Sequence, residues 1–212
     1  MSTFFTITKM AVISLDGNIG AGKTTLLKKL KCIPDVYVIE EPVGVWEQFN
    51  VNEKNILQHF YEDQRRWAYT FQNAAILTRI IHINNAIKEN PGYKLYITER
   101  SILTDKFVFA KMLHKDKIID DMEMQLYNMW FDNFGSMDVA GILWLTTDVQ
   151  TCIERIKIRG RLGEENISQE YLENLDRAHY EWLHLRSNVE RITSEISQEE
   201  LTVRLQKYIT RS

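Results

Sequence analysis

"ISLDGNIGAGKTTLL", residues 13–27, is the stretch on which the fold turns. A short apolar run ends at Asp16, and three glycines, a lysine and two threonines follow it. Gly17-x4-Gly22-Lys23-Thr24 is a complete Walker A pattern. Its glycines let successive backbone N–H groups turn inward on phosphate oxygens, and the helix that follows adds its positive N-terminal end. Gly17, Asn18, Gly20, Ala21, Gly22, Lys23, Thr24 and Thr25 are therefore the expected phosphate loop. Lys23 should reach the β- and γ-phosphates, and the Thr24 hydroxyl should ligate Mg²⁺. The pattern establishes that a polyphosphate is held. It does not separate a kinase from a GTPase, an ATPase or a nucleotide sensor.

Working outward, short apolar runs alternate with long helical patterns. Strands are expected at 11–16, 36–41, 94–99, 141–147 and 189–195. These runs are mostly continuous in apolar residues, which suits parallel strands covered on both faces. Helices are expected at 23–31, across 53–90 with a break near Asp63 to Arg66, and at 101–115, 119–134, 148–159, 168–186 and 198–209. Pro91 and Gly92 stop the long stretch, and Ser197 with Glu200 gives capping-box spacing to the last helix. The alternation implies an α/β fold, a five-stranded parallel sheet with helices on both faces. Nothing divides residues 1–212 into independent domains.

The chain has 212 residues, 44% of them hydrophobic, and a net charge of −3 from 26 basic and 29 acidic side chains. That balance argues against a nucleic-acid binder relying on backbone electrostatics, though not against a single nucleotide. No apolar run approaches the ~18 residues of a membrane span. The first nine residues, "MSTFFTITK", contain no arginine and are too short for a signal or transit peptide, so the expected address is the cytoplasm. Cys32 and Cys152 read as free buried thiols in a reducing compartment. The five histidines form no metal-ligand pattern, and Trp67, Trp130, Trp144 and Trp182 read as core.

Three further features gather at the same end of the predicted sheet. The second strand ends in "EEPVGVW", where Pro42 holds Glu41 extended. Ligands of open parallel sheets bind outside the carboxyl ends of the strands, so Glu41 should face the phosphate loop and could take a proton from an attacking hydroxyl. The third strand ends in "TERS", placing Glu99 to hold Mg²⁺ and Arg100 to anchor the acceptor and stabilise transferring charge. "RIKIRGR", residues 155–161, sets Arg155 and Arg159 on one helix face with Arg161 just beyond, as a mobile lid over phosphates would. Each feature alone could be an ordinary surface charge.

Together they resemble the deoxyribonucleoside kinase family. "DGNIGAGKTT", "EEPVGVW", "FYEDQRRWAYTFQ", "TERSILTD", "RIKIRGR" followed by "EE", and "YLENLDRAHYEWL" fall in the family's order over residues 11 to about 185. The resemblance implies a P-loop kinase fold with an arginine-rich lid over about 155–167, and transfer of the ATP γ-phosphoryl group to the 5′-hydroxyl of a deoxynucleoside. It also implies a homodimer, with no nucleic-acid or membrane partner. By position, Glu41 is similar to the family's general base, Arg100 to the arginine that holds the acceptor hydroxyl, and Thr24 and Glu99 to the Mg²⁺ side. Tyr61 matches the tyrosine at the sugar 3′-hydroxyl. Trp46, Phe60 and Phe71 match aromatics around the base, and Gln72 matches the glutamine at its edge. Arg155, Arg159 and Arg161 match the lid arginines.

The base pocket also makes sense residue by residue. Gln72, Ala75 and Arg79 share one helix face, and Ala75 leaves room on it. Asp105 falls where deoxycytidine and deoxyguanosine kinases have an aspartate, with Arg79 as its partner. Such a carboxylate accepts from an exocyclic amino group and opposes the carbonyl of thymine, so deoxycytidine, deoxyadenosine and deoxyguanosine are the expected acceptors. One departure concerns "RLGEE", which has two residues between the last lid arginine and the acidic pair, where the family usually has one. The glutamate at the sugar 3′-hydroxyl is Glu165 if the loop absorbs the extra residue and Glu164 if it does not. Gly163 tolerates unusual backbone angles, which favours Glu165. A thymidylate-type monophosphate kinase and a non-catalytic nucleotide-binding subunit are the competing readings.

Overall fold

The computed structural model describes residues 10–135 and 137–210; the nine N-terminal residues discussed above lie outside them. The elements run β1 (Ala11–Asp16), α1 (Lys23–Leu30), β2 (Val36–Ile39), α2 (Val43–Gln48), β3 (Asn50–Val51), β4 (Lys54–Asn55), α3 (Ile56–Glu62), α4 (Gln64–Glu89) and β5 (Leu95–Glu99). Then come α5 (Ile102–Thr104), a π-helical segment (Asp105–Ala110), α6 (Lys111–Lys115), α7 (Asp121–Phe134), β6 (Gly141–Leu145), α8 (Val149–Arg159), a 3₁₀ turn (Glu164–Asn166), α9 (Gln169–Leu183), β7 (Val189–Ile192) and α10 (Gln198–Ile209).

The main sheet has five strands in the order β2-β5-β1-β6-β7, all parallel. This is the expected architecture, and the central position of β1 puts the phosphate loop at the sheet's midline. Alternation within each strand feeds two cores. Ile13 and Leu15 of β1, Leu95 and Ile97 of β5, and Leu143 and Leu145 of β6 pack against α1 and α10. Val12 and Tyr96 turn the other way toward Ile83 of α4, and Ile142 and Trp144 toward Leu183 of α9. Fully burying a Leu or Ile stabilises by roughly 1.5–3 kcal/mol, so both faces of the sheet hold their helices. No helix of the described residues is long and apolar enough to cross a membrane.

The long helical stretch breaks where the sequence indicated. Asp63 leaves helical geometry (φ −142°, ψ 83°), ending α3, and its carboxylate caps α4 by accepting from the Arg66 N–H at 3.1 Å. Ser197 likewise caps α10 through the Glu200 N–H. Strands β2, β6 and β7 are shorter than expected at their carboxyl ends: Glu40-Glu41 leave β2 to line the crevice above the sheet, and Thr147 turns from β6 to bond the Ala21 carbonyl. The α2 helix and the antiparallel β3–β4 hairpin were not expected. Two side chains lie elsewhere than anticipated. Cys32 is exposed just past α1, whereas Cys152 is buried, and neither forms a disulfide. Trp130 is half exposed on α7 rather than in the core.

Candidate active site

The loop from Gly17 to Gly22 leaves β1 and delivers the chain to α1 by unusual backbone angles. Gly20 has φ +77°, and a Cβ there would stand 2.5 Å from the Cys152 carbonyl oxygen; Gly22, at φ +100°, caps α1. Both positions exclude larger residues sterically. Helix α8 locks onto this loop: Arg155 Nη1 and the Thr147 hydroxyl both donate to the Ala21 carbonyl, at 2.8 and 3.0 Å. The Asn18 side chain donates to the Leu172 carbonyl, tying the loop to α9. Beneath the loop, the buried Asp16 accepts hydroxyl hydrogen bonds from Ser14 and Thr104. Burial raises its carboxyl above the ordinary range, against those hydrogen bonds.

Lys23 is buried, with Nζ 3.1 Å from the Gly17 carbonyl and 2.8 Å from that of Asn18. Burial, reinforced by the nearby Arg100, pushes its ammonium down to about 7, a cost that an anion placed beside it would relieve. The Thr24 hydroxyl lies 3.4 Å from Glu99 Oε2, and Lys23 Nζ lies 4.0 Å from Glu99 Oε1. A hydroxyl and one carboxylate form a partial oxygen set. Magnesium, which keeps several waters and shares phosphate oxygens, is suited by such a set. A cavity of about 530 Å³ is lined here by Gly20, Gly22, Lys23, Thr24, Thr25, Glu99, Arg155, Arg159, Arg161 and others.

A second cavity, of about 290 Å³, opens on the other side of Lys23. Glu41 and Arg100 line this second cavity, and Lys23, Thr24 and Glu99 line both. Arg100 holds a left-handed backbone (φ +59°), a conformation that costs a non-glycine residue on the order of 1–3 kcal/mol. Its N–H is fixed by the Leu15 carbonyl at 3.0 Å, and its Nη1 lies 3.0 Å from each oxygen of Glu41. Burial alone would raise the Glu41 carboxyl, but Arg100, Arg79 and Lys23 outweigh it and hold it well below the usual carboxylate range. Glu41 is thus a largely buried, ionised carboxylate in the wall of the smaller cavity.

The far end of this cavity is aromatic and polar. Trp46 meets Phe71 edge-on with centroids 5.4 Å apart, and its indole N–H donates to Thr78 Oγ1 at 2.8 Å, which fixes the ring. Gln72, Ala75 and Arg79 line the cavity from α4, and Asp105 and Phe109 line it from the π-helical segment. Arg79 Nε donates to Asp105 Oδ2 at 2.8 Å. Burial raises the Asp105 carboxyl against the opposing pull of that guanidinium. Gln72 is almost fully buried, and its Oε1 has no hydrogen-bond partner among the described residues. A buried polar atom of this kind requires a partner, which a ligand edge can supply.

Two expected residues lie elsewhere. Phe60 does not line the cavity. It stands behind the wall, with its ring 5.0 Å from Phe71 and 4.9 Å from Tyr61, and Tyr61 is the one that lines it. Glu165 is exposed, whereas Glu164 is buried and lines the cavity between Arg159 and Arg161. Gly163 does adopt φ +91°, but a Cβ there would be 2.9 Å from Gln58 Cα. The loop is therefore pressed onto α3 and presents the first glutamate. Ile19, Val43, Leu57 and Phe109 also line the cavity and were not anticipated. Of these only Phe109 had a signal, lying four residues beyond Asp105.

A phosphate loop at the centre of a parallel sheet, two adjoining cavities and an ionised carboxylate in the wall of one of them define a P-loop kinase. The family model of deoxynucleoside kinases matches residues 13–209. The chain is 36% identical to the deoxycytidine kinase of Homo sapiens, over 83% of this chain and 76% of that protein. It is 34% identical to deoxycytidine kinase 1 of Xenopus laevis, over 84% and 76%. It is 35% identical to the mitochondrial thymidine kinase 2 of Homo sapiens, over 82% and 65%. The chain belongs to the deoxynucleoside kinase family, and it is an enzyme that phosphorylates deoxynucleosides.

Proposed function

We propose that this enzyme transfers the γ-phosphoryl group of ATP to the 5′-hydroxyl of deoxycytidine, deoxyadenosine or deoxyguanosine, uses thymidine poorly, and so supplies deoxynucleoside monophosphates by salvage. The buried Arg79–Asp105 pair beside Gln72 carries the base preference. A fixed carboxylate accepts from an exocyclic amino group, and a thymine carbonyl facing it leaves buried groups unpaired, which can cost ~10⁴–10⁵ in specificity.

In this reading ATP occupies the larger cavity with Lys23 and the loop amides on its phosphates, and Arg155, Arg159 and Arg161 close over them. Thr24 and Glu99 would hold the Mg²⁺, which neutralises charge on the phosphate oxygens. Glu41 takes the 5′-hydroxyl proton and Arg100 holds that oxygen in line. Tyr61 and Glu164 meet the sugar 3′-hydroxyl, while Trp46, Phe71 and Gln72 receive the base. Most of the rate then comes from placement and preset charge.

The whole chain acts as one catalytic domain, and two copies pair through α7 and α4. Met122, Leu126, Met129, Trp130 and Phe134 form an exposed apolar stripe along α7, beside exposed Leu77 and Ile81 of α4. Patches of this kind mark interaction surfaces. The unpaired cysteines suit the reducing cytoplasm.

The test is a panel of the four natural deoxynucleosides with ATP and Mg²⁺, comparing kcat/KM. Thymidine used as well as deoxycytidine would overturn the preference.

A further inference from the structure

The two oxygens of Glu41 are not equivalent. Oε1 accepts from Arg79 Nη2 at 2.8 Å and from Arg100 Nη1 at 3.0 Å, whereas Oε2, among the described residues, accepts only from Arg100 Nη1, at 3.0 Å. A carboxylate oxygen offers about two lone-pair directions. Oε1 is therefore filled and Oε2 keeps one direction open. Arg79 cannot swing away, because it is 2% exposed and held on its other sides. Its Nε meets Asp105 Oδ2 at 2.8 Å, its Nη2 also reaches Asp105 Oδ1 at 3.3 Å, and its Nη1 donates to the Glu99 carbonyl at 2.9 Å.

We propose that Arg79, besides framing the base filter, is a positioning residue for the catalytic carboxylate: it occupies Oε1 of Glu41 and so assigns Oε2 to the acceptor hydroxyl. This rests on the reading of Glu41 as general base. Arg100 alone reaches both oxygens from a single nitrogen, which leaves the carboxylate free to turn about its last bond. Arg79 supplies the second point of attachment and stops that rotation. Placement outweighs basicity here, because catalysis of phosphoryl transfer is almost entirely positioning and electrostatics. One guanidinium then serves both the base-reading aspartate and the proton-accepting glutamate, so the base filter and the reaction rate share a part.

The test separates kcat from KM for all four deoxynucleosides in the double variant Arg79→Met/Asp105→Leu, which removes both ends of the buried ion pair. The expected result is a kcat about 10- to 100-fold lower on every acceptor, thymidine included, while the KM ratio moves toward thymidine. A kcat on thymidine equal to or above that of the wild type would reduce Arg79 to a base filter and overturn the proposal. If the double variant does not fold, Arg79→Lys keeps the charge without the fork and should lower kcat with only a small change in KM; an unchanged kcat overturns the proposal equally. The same substitution on a Glu41→Gln background should add little further loss, and a fully additive loss would be incompatible with action through Glu41. Glu41→Gln alone distinguishes the two levels of the argument: wild-type kcat in that variant would remove the general-base reading itself.

Discussion

Arg159 holds Oε2 of Glu164 through both Nη2, at 2.6 Å, and Nε, at 3.0 Å, where the two cavities adjoin. Arg161 Nη1 holds the other oxygen of the same glutamate at 3.1 Å. Both arginines line the larger cavity as well as the smaller, whereas Glu164 lines the smaller alone, so in the proposed reading Glu164 fixes cations that face the donor while its own carboxylate faces the acceptor.

Glu164→Gln should therefore raise the KM for the nucleoside and lower kcat. A charge-assisted hydrogen bond is worth about 1.5–3 kcal/mol, so a combined loss of roughly 10- to 100-fold in kcat/KM is expected. Glu165→Gln, altering an exposed side chain one residue on, should stay within about twofold, as surface substitutions usually do. Steady-state kinetics on the two variants decides between them, and the reverse ranking would restore Glu165 to the site.

Glu41→Gln keeps the shape of the side chain and one acceptor oxygen, turns the other oxygen into an amide donor facing the arginines, and cannot take a proton. The expected drop in kcat is about 10²- to 10⁴-fold, with cooperative thermal unfolding retained. Because Arg100 and Arg79 would then be left with less counter-charge, a change in melting temperature is also expected. Rate and stability must be measured on the same preparation. Near-normal turnover would show that the hydroxyl proton leaves by another route.

The parallel sheet was legible because strands buried on both faces are written as unbroken apolar runs, and because the glycines after Asp16 mark the turn from β1 to α1. The break at Asp63 could be read for a local reason, since its side chain caps the next helix. What escaped had no local signature. Residues 43–55 form a short helix and a hairpin whose β3 residues are exposed, so no periodic apolar pattern marks them. The π-helical turn at Asp105 reads as ordinary helix in sequence, although it is what places Asp105 and Phe109 together on the cavity. The choice between Glu164 and Glu165 depended on how Gly163 packs against Gln58, a contact between residues over a hundred positions apart.

The apolar stripe on α7 makes the oligomeric state testable. Met129 and Trp130 are both more than half exposed and sit at its centre, while Tyr127 of the same helix is fully buried. Replacing Met129 and Trp130 together with glutamate should leave the core intact and place like charges across a two-fold contact. Sedimentation should show a dimer for the wild type and a monomer for the variant. A wild-type protein that is monomeric at micromolar concentration would show that α7 pairs with something other than a second copy.

His179 provides a pH signature of the fold. The ring is 1% exposed on α9, and Nδ1 lies 2.8 Å from the Leu175 carbonyl, which can only accept, so Nδ1 carries the proton of a neutral imidazole. Burial drives its pKa down to about 3, against the partial support of that carbonyl and with Arg100 and Lys23 adding to the drop. The unfolded chain binds a proton at this position below about pH 6.5, whereas the folded chain does not until near pH 3. Stability attributable to this site is therefore complete above pH 6.5 and declines as the pH falls through that window, by about 1.4 kcal/mol per unit. Between pH 7 and pH 5 the wild type should lose about 2 kcal/mol more than a His179→Gln variant, whatever the variant's own offset at neutral pH. Urea unfolding of both proteins at the two pH values checks this, and parallel pH dependences would mean that the imidazole takes up a proton within the native state.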